Sequence, residues 1–171
     1  MLNALLKQKK PEILDRWLQL ILETYPLDRS TFFAKEKDRF LNPVGQTFFE
    51  ETRVLYEGLL GGFAPEGASA SLEKMIRIRT VQDLSPSQAV QFIHGLKQAV
   101  TEKLRDEIIT EEGFKEWLEL ESQIDRLSLL AFDIYAKCRE TITEIRISEM
   151  RKERDRALNL MARSGLPSDK Q

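Results

Sequence analysis

Residues 111–164 read EEGFKEWLELESQIDRLSLLAFDIYAKCRETITEIRISEMRKERDRALNLMARS. The run holds one glycine, Gly113, and no proline, so little in it pushes the backbone out of the α region. Thr110 offers a hydroxyl cap, and Glu111 and Glu112 set carboxylates beside the free N–H groups and positive dipole end of a first turn. The expectation is one helix from about residue 111 to about 163, roughly 75 to 80 Å long at ~1.5 Å per residue. That exceeds what a compact body of 171 residues can enclose. Composition also changes midway: Phe114 to Cys138 has 14 apolar residues among 25, whereas Arg139 to Arg163 has 9 apolar and 12 charged. The first half is expected in a core and the second to extend from it. In the second half Ile147, Met150, Ala157 and Met161 keep an a/d spacing, with Arg154 at the intervening a position. Ile142 and Ile145 continue a shifted seam upstream. These six residues form the candidate dimer or output helix.

Working back from this run, proline and cap residues divide the chain into further helices. Pro11 suits a first turn after a short leader helix, and Pro26 stops the segment in which Leu14, Leu18, Ile21 and Tyr25 recur at helical spacing, widened by Trp17, Leu20 and Leu22. Asp28 or Ser30 can cap a short helix carrying Phe32 and Phe33. Asn42 followed by Pro43 opens a helix ending at Gly61 and Gly62, with Val44, Phe48, Leu55 and Leu59 as core face and Phe49, Tyr56 and Leu60 as a second edge. Phe63 to Ala70 reads as a loop and Leu72 to Gln82 as a helix. Ile76 to Val81 also alternates like a strand, but a lone strand would leave its backbone unpaired. Ser85 and Pro86 begin a helix to about Leu104 with Ala89, Ile93, Leu96 and Val100 on one stripe. With only Gly 8 and Pro 6, turn residues are too few for an all-β chain. The expected fold is an all-α bundle of about six helices with a long C-terminal helix extending from the core. The expected division is a helical domain over 1–140 and a projecting helix with a short tail over 141–171.

Composition excludes several functions. Lys+Arg 26 against Asp+Glu 28 gives a net charge of -2, so no overall basic field attracts nucleic acid or an anionic membrane surface. No apolar run approaches the ~18 residues of a membrane span, and Met1 to Leu6 is followed, not preceded, by its lysines, the reverse of a secretory signal. Cys138 is the only cysteine, so an internal disulfide and a CxxC zinc site are excluded, and a cytoplasmic location fits best. His94 is the only histidine and falls on the outer face of its helix, poorly placed as a haem ligand or a base. Glu50, Glu51, Glu111, Glu112, Glu119 and Glu121 read as solvated, without the apolar setting that makes a carboxyl an acid catalyst. No catalytic residue, cofactor-binding residue or metal ligand is assigned, and no cofactor is expected. Arg79 stands out because it shares the core stripe of Leu72, Met75 and Ile76, where a guanidinium must be paired. Either it makes a structural ion pair with Asp83 or another helix's carboxylate, or it holds a small anion.

Two stretches carry more than helix grammar: Phe40-Leu41-Asn42-Pro43-Val44-Gly45, and Arg77-Ile78-Arg79-Thr80-Val81-Gln82-Asp83-Leu84-Ser85-Pro86-Ser87-Gln88-Ala89-Val90. With Leu5-Leu6-Lys7 and Ile13-Leu14-Asp15-Arg16-Trp17, they resemble the RsbRD-type N-terminal domain of RsbT co-antagonist proteins of the bacterial stressosome, over roughly residues 4 to 140. The resemblance implies a globin-like helical domain without haem, a sensory or interaction role ahead of a STAS domain, and no catalysis. No βα alternation follows in this sequence, so a STAS domain and its phosphorylation site are not expected. The resulting expectation is a non-catalytic sensory or scaffold module of bacterial signalling, acting as a homodimer and on a regulatory protein partner. The alternative is a helical bundle binding a small anion or haem.

Overall fold

The computed structural model describes residues 1–26, 29, 32, 35, 41–62, 65–82 and 84–164. It is all-α, with a long C-terminal helix. The helices are α1 (Leu2–Gln8), α2 (Lys10–Leu22), α3 (Pro43–Leu60), α4 (Pro65–Thr80), α5 (Pro86–Val90), a 3-10 turn over Gln91–Ile93, α6 (His94–Ile108) and α7 (Glu111–Ser164). The chain divides into two compact units, Met1–Tyr135 and Ala136–Gln171.

In the first unit the helix starts follow the cap chemistry of the sequence. Pro11 lies in the first turn of α2. Asn42 Oδ1 accepts from the Gly45 N–H at 2.8 Å, with Pro43 at the first helical position, where its missing N–H costs nothing. Ser85 and Gln88 form a reciprocal capping box. Gly62 takes φ +75 just beyond α3, a left-handed turn that glycine enters without strain. At the start of α7, Thr110 Oγ1 donates to Glu107 O at 2.8 Å and accepts from Gly113 N at 3.1 Å. A Cβ on Gly113 would stand 2.0 Å from Glu107 O, which explains the one glycine of the long run.

Two segments differ from the sequence expectation, the start of α4 and the Ser85 to Leu104 helix, while the helix expected over Ile76 to Thr80 is present. Helix α4 begins at Pro65 rather than Leu72, because a first-turn proline starts a helix as readily as it breaks one. Ile76 to Thr80 is helical, with Thr80 Oγ1 donating back to Ile76 O at 2.6 Å. The helix expected from Ser85 to Leu104 is interrupted at Gln91–Ile93, and Leu104 itself has non-helical φ −132, ψ 25 inside α6. The short helix expected around Phe32 and Phe33, with its caps Asp28 and Ser30, lies outside the described residues apart from helical positions at Arg29, Phe32 and Lys35.

The core is built where α3 packs on α4, α2 packs on α6, and α2 meets α3. Its α2 contribution is Ile13, Trp17, Ile21 and Leu22, joined by Tyr25 just beyond the helix, with Leu14 and Leu18 half-buried. The seam is therefore turned by about one residue from the one read in the sequence, following Trp17. Phe48, Leu55, Tyr56 and Leu59 of α3 are buried, whereas Phe49 is 54% exposed. Tyr56 donates to Leu6 O at 2.9 Å, fixing α1, and burial pushes its phenol well above the ordinary range. Ala89, Ile93, Leu96 and Val100 are all buried.

The α2–α6 contact carries an ion pair on its rim. Arg16 donates from Nε to Glu102 at 2.6 Å and from Nη2 at 3.2 Å, and Gln98 adds a bond at 2.8 Å. The Arg16 guanidinium, with Gln98, holds Glu102 at about 2 against an ordinary 4.5. Lys10 and Arg53 lower Glu57 in the same direction. A carboxyl lowered by folding takes up its proton more readily in the unfolded chain. Its stabilisation is therefore complete above pH 4.5 and fades as pH falls toward 2. The melting temperature of the protein is expected to drop across that window, and the Arg16→Gln variant should show a shallower drop. Superimposable acid profiles for the two proteins would contradict this.

In the second unit, Cys138 and Ile142 are half-buried and every residue from 143 to 163 is exposed. Charged side chains occupy much of that surface, and Arg154 bonds its neighbour Asp155 at 2.7 Å.

Candidate functional site

The densest polar arrangement in the first unit surrounds Arg79, which is fully buried. Its place follows from α4 geometry: Leu72, Met75 and Ile76 share its face, and all three are buried. A guanidinium there must spend its five N–H donors inside the protein. Nε donates to Ala89 O at 2.9 Å, and Nη2 to Gln88 O at 2.8 Å and Thr24 Oγ1 at 3.2 Å. Nη1 donates to Thr24 Oγ1 at 3.2 Å and Tyr25 OH at 3.4 Å. The rings of Tyr25 and Phe92 each lie 5.5 Å from the guanidinium carbon, within cation–π range. Burial lowers the Arg79 pKa from its ordinary value, and Tyr25 opposes the shift. Burial raises the Tyr25 phenol, and Arg79 draws it back.

The acceptors show what the arrangement does. A helix leaves its last carbonyls without internal partners, and α5 is only five residues long. Arg79 takes the carbonyls of Gln88 and Ala89 near its end. One turn later Trp17 Nε1 donates to Phe92 O at 2.7 Å, covering a carbonyl of the 3-10 turn. Two buried side chains from α2 and α4 thus hold the same irregular segment, 86–93. Asp83, the ion-pair partner considered for Arg79 in the sequence, lies outside the described residues. Arg77, on the other side of α4, is exposed and pairs with Glu73 at 2.6 Å.

Thr24, Phe92 and the two carbonyls were not singled out from the sequence. Backbone acceptors leave no residue-type signal, and Thr24 carries none until α2 is known to end beside α4. Glu51 is a correction: instead of a solvated face it is 5% exposed, with Lys74 Nζ at 2.5 Å. It lies on the α3 side that packs on α4, so Lys74 supplies the paired cation that a buried carboxylate requires. His94 is exposed, on a cleft of about 450 Å³ with Glu23, Thr24, Gln91 and Gln98. Among the described residues no three His, Cys, Asp or Glu side chains are grouped to hold a metal ion, and no helix is long and apolar enough to cross a membrane.

The candidate output residues lie in the second unit. Ile145, Ile147, Met150, Ala157 and Met161 are exposed and Ile142 is half-buried. At about 100° per residue, Ile147, Met150, Ala157 and Met161 share one side and Ile142 and Ile145 another.

Fold and side chains together define a helical domain in which a buried arginine ties three segments. The chain belongs to the family of RsbT co-antagonist protein rsbRD N-terminal domains, whose model matches residues 11–150. No curated protein and no solved structure matches it. Two of the stretches that carry the family resemblance also build the tie: Trp17 of α2 lies in one, and Arg79 of α4 with the Ser85-to-Gln88 cap of α5 in the other.

Proposed function

We propose that the protein is a non-catalytic sensory or scaffold module of bacterial signalling, cytoplasmic, acting through homodimerisation and contacts with a regulatory protein. Membership of the rsbRD N-terminal domain family supports a stressosome-related role, since that family is a signalling domain rather than a known enzyme family. In this reading residues 1–140 form the sensory and interaction domain, with the globin-like arrangement the resemblance implies. Residues 141–171 form the output helix and tail.

The observation that carries the reading is the exposure of large apolar side chains after Tyr135. Ile147, Met150 and Met161 are exposed on a helix whose described residues from 143 to 163 are all exposed. Isolated surface apolar residues are ordinary, but an apolar seam at helical spacing is how one helix meets another. A shift in packing at such a seam would transmit a state of the domain to its partner. The anion-binding alternative loses support from the donors of Arg79, which are engaged by protein acceptors. The test is affinity purification from the native host with the full chain and with its Met150→Asp/Met161→Asp variant. A stressosome protein retained by the first and lost from the second is expected. Identical partner lists would overturn the assignment of the output surface.

A further inference from the structure

Helices α2 and α3 leave a groove of about 480 Å³ between them, within the ~300 to 1,000 Å³ of sites that hold small molecules. Leu14 and Leu18 line it from α2 and Phe49 from α3. The two leucines are half-buried and Phe49 is 54% exposed, so each keeps apolar surface that a ligand can remove from water. Thr52, also on the wall, donates its hydroxyl to Phe48 O at 2.6 Å and brings no free donor to the groove. From Lys10 to Leu18 the wall runs about 12 Å at ~1.5 Å per residue.

The cations of the groove gather toward one end. Lys10 Nζ and Arg53 Nε both donate to Glu57 Oε1, the second at 3.2 Å. Two cations thus share one carboxylate, a surplus of one positive charge, and the Nη groups of Arg53 have no protein acceptor among the described residues. We propose that this groove binds a small amphipathic monoanion, an unbranched carboxylate of medium chain length, with its head group on Arg53 and Lys10 and its tail along Leu14, Leu18 and Phe49. The two Nη groups offer a carboxylate a pair of parallel N–H bonds, and the tail shields the Phe49 ring. A second protein carboxylate, Asp15, faces the groove more than a turn of α2 beyond Lys10 and accepts from Gln19 at 3.4 Å. Its charge opposes a second negative group on the ligand, which selects a monoanion over a dicarboxylate. Such a ligand would supply the signal to the sensory domain of the proposed function. It depends on that reading for its role alone, because the binding is measured on the isolated protein without a partner.

The test is calorimetric titration of the full chain with decanoate below its micelle concentration, with decanol as the uncharged control. Decanoate is expected to bind more tightly than decanol and to shift the amide resonances of residues 10–18 and 49–53. Lys10→Gln/Arg53→Gln, both outside the core, should weaken decanoate at least about tenfold and leave decanol unchanged. Phe49→Ser, at an exposed position, should weaken both ligands, and all variants should keep the circular dichroism spectrum of the wild type. Absence of decanoate binding, or binding that neither variant changes, would overturn the site while leaving the family's signalling role and the output helix untouched. Decanol binding as tightly as decanoate would overturn the anionic head group. A partner list changed by Met150→Asp/Met161→Asp bears on the output surface only, so the two proposals fail separately.

Discussion

The Arg79→Met variant is expected to lose about 3 to 5 kcal/mol of folding free energy, since removal of the guanidinium leaves several buried acceptors unpaired at about 1 to 3 kcal/mol each. Burying a charge is itself costly, and replacing a whole ion pair with apolar residues is often neutral. Here that compensation fails. Methionine would relieve the desolvation of Arg79, but the carbonyls of Gln88 and Ala89 belong to the backbone and cannot be replaced with it. Thr24 Oγ1 and Tyr25 OH would lose their donor as well. Lysine keeps the charge but offers three donors from one point, without the planar fork that reaches both carbonyls within cation–π range of two rings. Arg79→Lys should therefore fall between wild type and Arg79→Met. Against a typical domain stability of ~5 to 15 kcal/mol, the methionine variant would be close to unfolding in mild urea. Urea titration followed by circular dichroism measures this. A midpoint for Arg79→Met corresponding to less than about 1 kcal/mol of loss would show that the tie is not structural.

The elements readable from the sequence are those whose ends are written in side chains. Asn42 with Pro43, Ser85 with Pro86, and Thr110 with two glutamates each satisfy a helix start locally, and the structure begins a helix at each. The burial of Arg79 was also legible, because its spacing from Leu72 and Ile76 fixes its side of the helix whatever lies opposite. What lies opposite was not legible. Its acceptors come from residues 9 and 10 positions onward and 54 and 55 positions back, and two of them are peptide carbonyls common to every residue type. The same reason hides the break at Gln91–Ile93. No proline or glycine marks it, and it is held from outside by Trp17 and Arg79 rather than by local propensity. Glu51 was misread because a carboxylate beside an apolar stripe looks solvated until the lysine of another helix is placed against it.

Trp17→Phe and Trp17→Ala should separate the two roles of this side chain. Trp17 is 1% exposed, so truncation to alanine removes nearly its whole buried surface and leaves a cavity, a loss of about 3 to 5 kcal/mol. Phenylalanine retains most of the ring but cannot donate, so Phe92 O keeps only the His94 N–H beneath the 3-10 turn, a loss of about 1 kcal/mol. The phenylalanine variant should also speed amide exchange at residues 91–96 before other parts of the first unit, because the lost bond holds that turn. Exchange raised equally throughout the unit would assign Trp17 a packing role only. Since Trp17 and Arg79 grip the same segment, their contributions should not be independent. Once either is gone, 86–93 is free to shift, and the remaining bond loses part of its geometry. The double variant Trp17→Phe/Arg79→Lys is therefore expected to cost less than the sum of the single variants, by more than the ~0.5 kcal/mol that separates independent sites from coupled ones. Strict additivity would mean that the α2 and α4 ends of the tie act on separate parts of the fold.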